Sequence, residues 1–159
     1  MPQLVKGGKY VFGWTVLRDD LRIRIPDEPY DEYKFLTTDK LIIMSGSKSS
    51  GGFSICSSLT MSSYKLANNI FELIGYIKGS DSFTGERLEI VRSGKRLISW
   101  TYLDKEKYFM LSKELVTSLG LEIGRRLLVG RGSGMGPAFI NKGIIYIEAL
   151  KHKDLLEYK

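Results

Sequence analysis

The sequence predicts a mainly β fold with short helices, built from two internal repeats within one domain covering residues 1–159. Three observations carry that expectation. Sliding the chain against itself by 86 positions lays Trp14-Thr15 on Trp100-Thr101, and then pairs Leu17 with Leu103, Glu28 with Glu114, Leu41 with Leu127, Gly46-Ser47 with Gly132-Ser133 and Phe53 with Phe139. Short apolar or alternating runs separated by polar turns fill both halves in the same order. Ser/Gly-rich stretches fall at matching places, Ser45 to Phe53 and Arg131 to Phe139. Eight identities in forty aligned pairs is a modest score when about a hundred offsets can be tried, so the repeated pattern weighs more than the identities. Repeat 1 covers about 10–56, a connecting segment about 57–87, repeat 2 about 88–141 and a C-terminal helix about 148–158.

In the first repeat Tyr10 to Leu17 reads as a strand, Arg18-Asp19-Asp20 as a polar turn, and Leu21 to Ile25 as an alternating strand with isoleucines inward and arginines outward. The second repeat has Ile98 to Leu103, the turn Asp104-Lys105-Glu106 and a return strand from Tyr108 to Leu111. Pro26 and Ser112 then open short helices, about Asp27 to Tyr33 and Lys113 to Leu119, both too brief to persist without tertiary support. Gly120 suits a left-handed helix stop, with Leu121 folding back on Val116; the first repeat has Lys34 at that place. Leu41 to Met44 and Leu127 to Val129 are continuous apolar runs, as expected of barrel or sheet-core strands covered on both faces. Between the repeats, residues 56–80 fit a helical face at Leu66-Ala67, Ile70-Phe71 and Leu73-Ile74, while Ile74 to Lys78 fits a strand start equally well. Leu88 to Arg92 and Arg96 to Trp100 flank Ser93-Gly94-Lys95 as a β-hairpin. Glu148 to Tyr158 reads as a surface helix with Ala149 and Leu156 on its apolar side and Leu155 at the edge.

Apolar residues at 43% and charged residues at 26% are ordinary for a globular chain and exclude wholesale disorder. No run approaches the roughly 18 apolar residues of a membrane span, and Met1 to Lys9 lacks the apolar stretch of a signal peptide, so no membrane association and a cytoplasmic location are expected. One cysteine, Cys56, and one histidine, His152, supply neither a disulfide nor a zinc cage, and no metal or cofactor is expected. A formal charge of +6 favours anionic partners, although solubility accounts for such a surplus as well.

The segment Leu21 to Ile43, with Arg22-Ile23-Arg24-Ile25-Pro26, a short helix, Asp39 and an apolar strand, resembles the AbrB/MazE/SpoVT-like swapped-hairpin family. Lys107 to Val129, with Ser112-Lys113-Glu114-Leu115, Leu119-Gly120-Leu121 and Gly124, is similar to a second member of it. The resemblance covers about half the residues. It implies a pseudo-two-fold barrel in which the hairpins of the two halves interleave, both supplied by one chain, and a DNA-binding transcriptional regulator. A covalent link would make that pairing intramolecular, so that dilution no longer separates the halves. Where such proteins carry a Gly-Arg pair at the start of the return strand, this chain has Leu21-Arg22 and Lys107-Tyr108.

Two surfaces are candidates for binding. Arg18, Arg22, Arg24, Lys105, Lys107, Lys113, Arg125 and Arg126 would present cations to the phosphates of double-stranded DNA; a solvated strand face pairing with Asp19, Asp20 and Glu106 accounts for the same residues. The alternative is a small anionic ligand held by the Ser/Gly-rich loops through Ser47, Lys48, Ser49, Gly51, Arg131, Ser133, Gly134 and Gly136, whose backbone N–H groups could cradle a phosphate or carboxylate. Glycines that merely make close turns explain the same composition. A protein-interaction subunit without DNA binding is a third reading, and association into a homo-oligomer is compatible with all three. Gly132-x-Gly134-x-Gly136 precedes another strand rather than a helix, which excludes a dinucleotide fingerprint. No catalytic residues are assigned: His152 lies in a Lys-rich terminal segment, Cys56 follows an apolar strand, and Asp19-Asp20 and Asp27-Glu28 fall in a turn and a helix start. An enzyme is not expected.

Overall fold

The structure, a computed structural model, describes residues 3–5, 9–36, 39–64, 67–77, 79–132 and 135–159. Its first half contains β1 (Gln3–Val5), β2 (Lys9–Val16), β3 (Arg22–Arg24), α1 (Asp27–Glu32), β4 (Lys40–Ser45) and β5 (Phe53–Ser57). The connecting segment forms α2 (Ser58–Met61), α3 (Ala67–Ile74), β6 (Tyr76–Ile77) and β7 (Ser82–Phe83). The second half contains β8 (Val91–Ser93), β9 (Arg96–Tyr102), β10 (Tyr108–Met110), α4 (Lys113–Ser118), β11 (Arg126–Gly130) and β12 (Ala138–Ile140), followed by α5 (Ile144–Leu150) and β13 (Glu157–Tyr158).

The fold is mainly β with few short helices. Its main sheet runs β1-β2-β11-β12-β5-β4-β9-β8, with β13 added to β2 in parallel, so the sheet is mixed. The central pairings cross between the halves. β2 lies against β11 with Thr15 opposite Leu127, and β9 lies against β4 with Thr101 opposite Leu41; these two pairs are 86 residues apart on each strand. β5 meets β12 with Phe53 opposite Phe139, and β3 meets β10 with Ile23 opposite Phe109, so that in both cases a residue faces the one 86 positions later. Side-chain hydrogen bonds follow the same spacing: Thr15 Oγ1 donates to the Arg24 carbonyl at 2.8 Å and Thr101 Oγ1 to the Met110 carbonyl at 3.0 Å.

The expected barrel is not closed. The sheet path ends at β1 and β8, and β3 and β10 pair as a separate two-stranded ribbon. Leu21 and Lys107 take left-handed backbone angles (φ 66° and 72°) at the turns into β3 and β10, which meet β2 and β9 through turn contacts such as Arg18 N–H to the Arg22 carbonyl at 3.0 Å, the two threonine hydrogen bonds and a bridge between Leu103 and Phe109.

Alternation along the core strands then decides what packs where. Leu41, Ile43, Leu127 and Val129 face a core shared with Ile23, Ile25, Phe109, Leu111 and Leu115 from the ribbon and α4. Phe53 and Phe139 stack at 4.8 Å with planes 6° apart, and Phe109 meets both rings edge-on at 6.0 and 5.6 Å. Ile42 and Leu128 point the other way, beside Trp100 and Trp14 respectively. Segments outside the repeats cover those outer faces: Phe71, Ile74 and Phe83 of the connecting segment on one side, Tyr146 and Ala149 of α5 on the other. The tryptophans therefore lie opposite the other half's core strand, Trp14 with Tyr146 as ring partner and Trp100 with Phe83 and Tyr102.

Helix ends follow local chemistry. Ser112 Oγ accepts from Leu115 N–H and caps α4, whereas Pro26 before α1 supplies no side-chain cap. Gly120 (φ 69°) stops α4 with Leu121 N–H on the Val116 carbonyl, and Lys34 adopts the same conformation (φ 58°) at the end of α1 despite its side chain. The segment after Cys56 contains both elements anticipated there, a helix over Ala67–Ile74 and a strand at Tyr76–Ile77; Leu66 and Lys78 lie outside the described residues. The hairpin forms as expected, although Leu88 (φ 69°) keeps its first strand to Val91–Ser93.

The terminal helix expected over 148–158 is corrected. The helix starts earlier, after Gly143, and the chain then turns so that β13 lies along β2, where Trp14 N–H donates to the Leu156 carbonyl at 2.8 Å. Leu155 is buried and Leu156 is 61% exposed, the reverse of the helical expectation. Among the described residues, no helix is long and apolar enough to cross a membrane.

Removing the stacked ring at Phe139 by Phe139→Ala should cost about 3–5 kcal/mol of stability in a denaturant titration. A loss under about 1 kcal/mol would show that the stack does not anchor the cross-pairing.

Candidate anion-binding groove

The sheet places the Ser/Gly-rich loops across from each other's strands. Because β5 and β12 run antiparallel, the loop entering β5 lies beside the exit of β12, and the loop entering β12 lies beside β5. A side chain at Gly52 would run into the Phe139 carbonyl, and one at Gly136 into the Ile55 carbonyl. Gly136 and Gly51, expected as ligand-binding glycines, thus owe their bare Cα to close packing: Gly51 (φ 62°) sits against Asn141. Ser133 and Gly134, from the same expectation, lie outside the described residues.

Of the eight cations expected to meet DNA, six are already paired. Arg18 lies 3.0 Å from Asp20 and over the Tyr108 ring; Arg22 lies 3.6 Å from both Asp20 and Asp104. Arg24 and Lys107 share Asp27 at 2.8 and 3.0 Å, with their charges also over Tyr158 and Tyr30. Arg125 reaches Glu122 and Arg126 reaches Glu157, each at 3.8 Å. Lys105 and Lys113 are exposed and carry no ion pair among the described residues. On the strands and turns, Arg18, Arg22, Arg24, Lys105 and Lys107 stand among Asp19, Asp20, Asp27, Asp104 and Glu106, which cancels the formal charge of that face. The surplus of +6 belongs elsewhere.

Part of it gathers at the first loop. A hollow of about 240 Å³ is lined by Ser45, Ser47, Lys48, Arg92, Lys95 and Ser118 together with Gly46, Gly51, Gly52, Leu97 and Leu119. No carboxylate lines it, and Lys48, Arg92 and Lys95 have no ion-pair partner among the described residues. Leu97 N–H donates to Ser45 Oγ at 2.9 Å and ties the β8–β9 hairpin, with Arg92 and Lys95, to the loop carrying Lys48. Ser47 Oγ is occupied within the loop, at 3.1 Å from Ser49 Oγ and 2.7 Å from Ser50 Oγ. Gly51 and Leu119 are shared with an adjoining hollow of about 330 Å³ that adds Gly120, Arg125, Asn141 and Lys142. There Asn141 Nδ2 donates to the Gly120 carbonyl at 3.1 Å while its buried Oδ1 has no partner. Like charges lining one small hollow repel each other, and an oxyanion between them would relieve that repulsion.

The second loop differs. Arg131 reaches Glu32 twice, Nε at 3.1 Å and a terminal nitrogen at 2.5 Å, and lies over the Tyr10 ring at 4.9 Å. The hollow beside it, about 370 Å³, is lined mainly by Tyr10, Val11, Ala138, Ile140 and Ile145 with Ser49 and Ser50. A larger one of about 410 Å³ lies at the turn of Arg18 and Asp19, whose charges oppose each other.

Sequence reasoning reached Lys48 and its loop but missed Arg92, Lys95, Ser118 and Lys142. Lys95 was visible as a hairpin-turn residue; its approach to the loop follows from the pairing of β9 with β4 across 50-odd residues, which local pattern does not carry. Burial pushes the Cys56 thiol up to about 12, so it is no nucleophile at neutral pH. Among the described residues, no group of three or more His, Cys, Asp or Glu gathers as a metal site. Comparison with protein-family models, curated proteins and solved structures finds no match.

The Lys107 hydrogen bond, with Arg24 adjacent, holds the Asp27 carboxyl below its usual 3.8 against a smaller opposing effect of burial. A depressed carboxylate contributes stability above its unfolded pKa and loses it as pH falls through the folded one. Asp27→Asn should therefore lower Tm at neutral pH, with the gap to the unaltered protein closing in strong acid. A gap that stays constant across that range would contradict the pairing.

Proposed function

We propose that the protein is a non-enzymatic binding module for a small anionic ligand, of phosphate or carboxylate type, held in the hollow between the first Ser/Gly-rich loop and the β8–β9 hairpin. The observation that carries this reading is the set of Lys48, Arg92 and Lys95 lining one hollow in which, among the described residues, they have no ion-pair partner and no carboxylate joins them. The cations supply the long-range attraction. A volume of about 240 Å³ suits a phosphate-sized head group, with the adjoining hollow available to the rest of the molecule.

A second reading, a DNA-binding regulator of AbrB-like type, is favoured by one observation: the crossed pairing of β2 with β11 and β9 with β4 in equivalent registers, the arrangement that interleaved hairpins from two tandem copies would produce. On this reading the 86-residue offset marks two copies of a swapped-hairpin unit. The charge balance of the strand face weighs against its use as a DNA surface, because phosphate contacts there must displace existing carboxylates.

Adding pyrophosphate or a sugar phosphate at about a hundredfold excess over Kd should stabilise the protein by about 2.7 kcal/mol, and Lys48→Ala or Lys95→Ala should abolish the gain. An unchanged Tm across such a panel would overturn the ligand reading. Duplex DNA affinity should depend little on Arg22 and Arg24; a salt slope that drops by about one for each when replaced by Ala would favour the regulator instead.

A further inference from the structure

The 86-residue offset can be applied to the anion-binding hollow itself. Ser45, Gly46 and Gly52 correspond to Arg131, Gly132 and Ala138, and all three counterparts line the hollow beside the second loop. Leu97 corresponds to Val11, which also lines it. Ser118, at the end of α4, corresponds to Glu32 at the end of α1. Where the first half presents two small hydroxyl side chains at these places, the second presents the paired Arg131 and Glu32.

The two halves thus offer related hollows that differ in charge among the described residues. In one, three cationic residues and, among the described residues, no carboxylate line the hollow. In the other, Arg131 is the charged side chain of the lining among the described residues, and a two-point contact with Glu32 neutralises it. A carboxylate in such a contact is itself an oxyanion held by a cation, and two oxygens of a phosphate would meet a guanidinium in the same way.

We propose that each chain binds one oxyanion rather than two, because Glu32 plays the anion's part in the second half, while Ser118, at the corresponding place in the first half, leaves room for a ligand. Ser118 is accordingly a specificity-determining position: a carboxylate there would supply the missing counter-charge from within. This inference rests on the anion-binding reading above and adds its stoichiometry and the residue that sets it.

The test is calorimetric titration of the full chain with pyrophosphate, comparing the unaltered protein with Ser118→Glu and Ser118→Gln, and with melting curves confirming that all three fold. One site per chain is expected, with affinity reduced at least about tenfold by Ser118→Glu, since a unit charge within a few ångströms of the ligand opposes it at the effective dielectric of a protein surface. Ser118→Gln, similar in size but uncharged, should bind nearly as well as the unaltered protein. Two sites per chain, an unweakened Ser118→Glu, or equal losses in both variants would overturn the inference while leaving anion binding intact. Absence of binding to the unaltered protein would overturn both.

Discussion

The crossed strand pairing at the centre of the sheet is the constraint on which the other features depend. β4 takes its outer neighbour from the second half and β11 from the first, so neither half completes its hydrogen bonding from its own residues. Unpaired backbone groups in such buried strands would be costly, which makes the two halves mutually obligatory. The Phe53, Phe109 and Phe139 rings fill the space where the halves meet. Covalent continuity makes this pairing intramolecular and independent of concentration.

That same pairing treats the two loops alike. Antiparallel β5 and β12 set each Ser/Gly-rich loop against the other half's strand, and close approach forces glycine at Gly52 and Gly136 irrespective of any ligand. What distinguishes the loops is therefore the side chains around them. The hairpin ahead of β9 brings Arg92 and Lys95 to the first loop, whereas Arg131 at the second is spent on Glu32. Exposed ion pairs contribute little stability, so the many pairs on the strand face matter less for holding the fold than for removing net charge from that surface. Segments outside the repeats complete the protein by covering the outer sheet faces over Trp14 and Trp100, burying apolar rows that would otherwise be exposed.

Much of the fold was legible because its elements have strong local signatures. The alternation at Leu21 to Ile25, the cap at Ser112 and the stop at Gly120 are readable from a few residues each. Closure of the sheet was not, since whether a ribbon joins the sheet is a matter of long-range pairing, and Leu21 and Lys107 at its turns take left-handed angles that such residues rarely adopt. The chain end misled for a related reason: Leu155 and Leu156 fit a helix by spacing, yet β13 follows from an available edge of β2. For the site, Lys48 was visible within a biased loop, while the meeting of Arg92, Lys95 and Ser118 with it is a tertiary fact. The cations on the strand face were legible as residues, but their neutralisation required knowing that Asp27 lies between Arg24 and Lys107.

The central claim is that an oxyanion binds at the first loop and not on the strand face. Backbone amide chemical shifts followed by NMR during a pyrophosphate titration test it most directly. The account predicts saturable shifts concentrated at residues 46–52, 92–97 and 118–120, with Arg22, Arg24 and Arg131 little moved. Saturable shifts centred on residues 18–24 and 105–108 would contradict it.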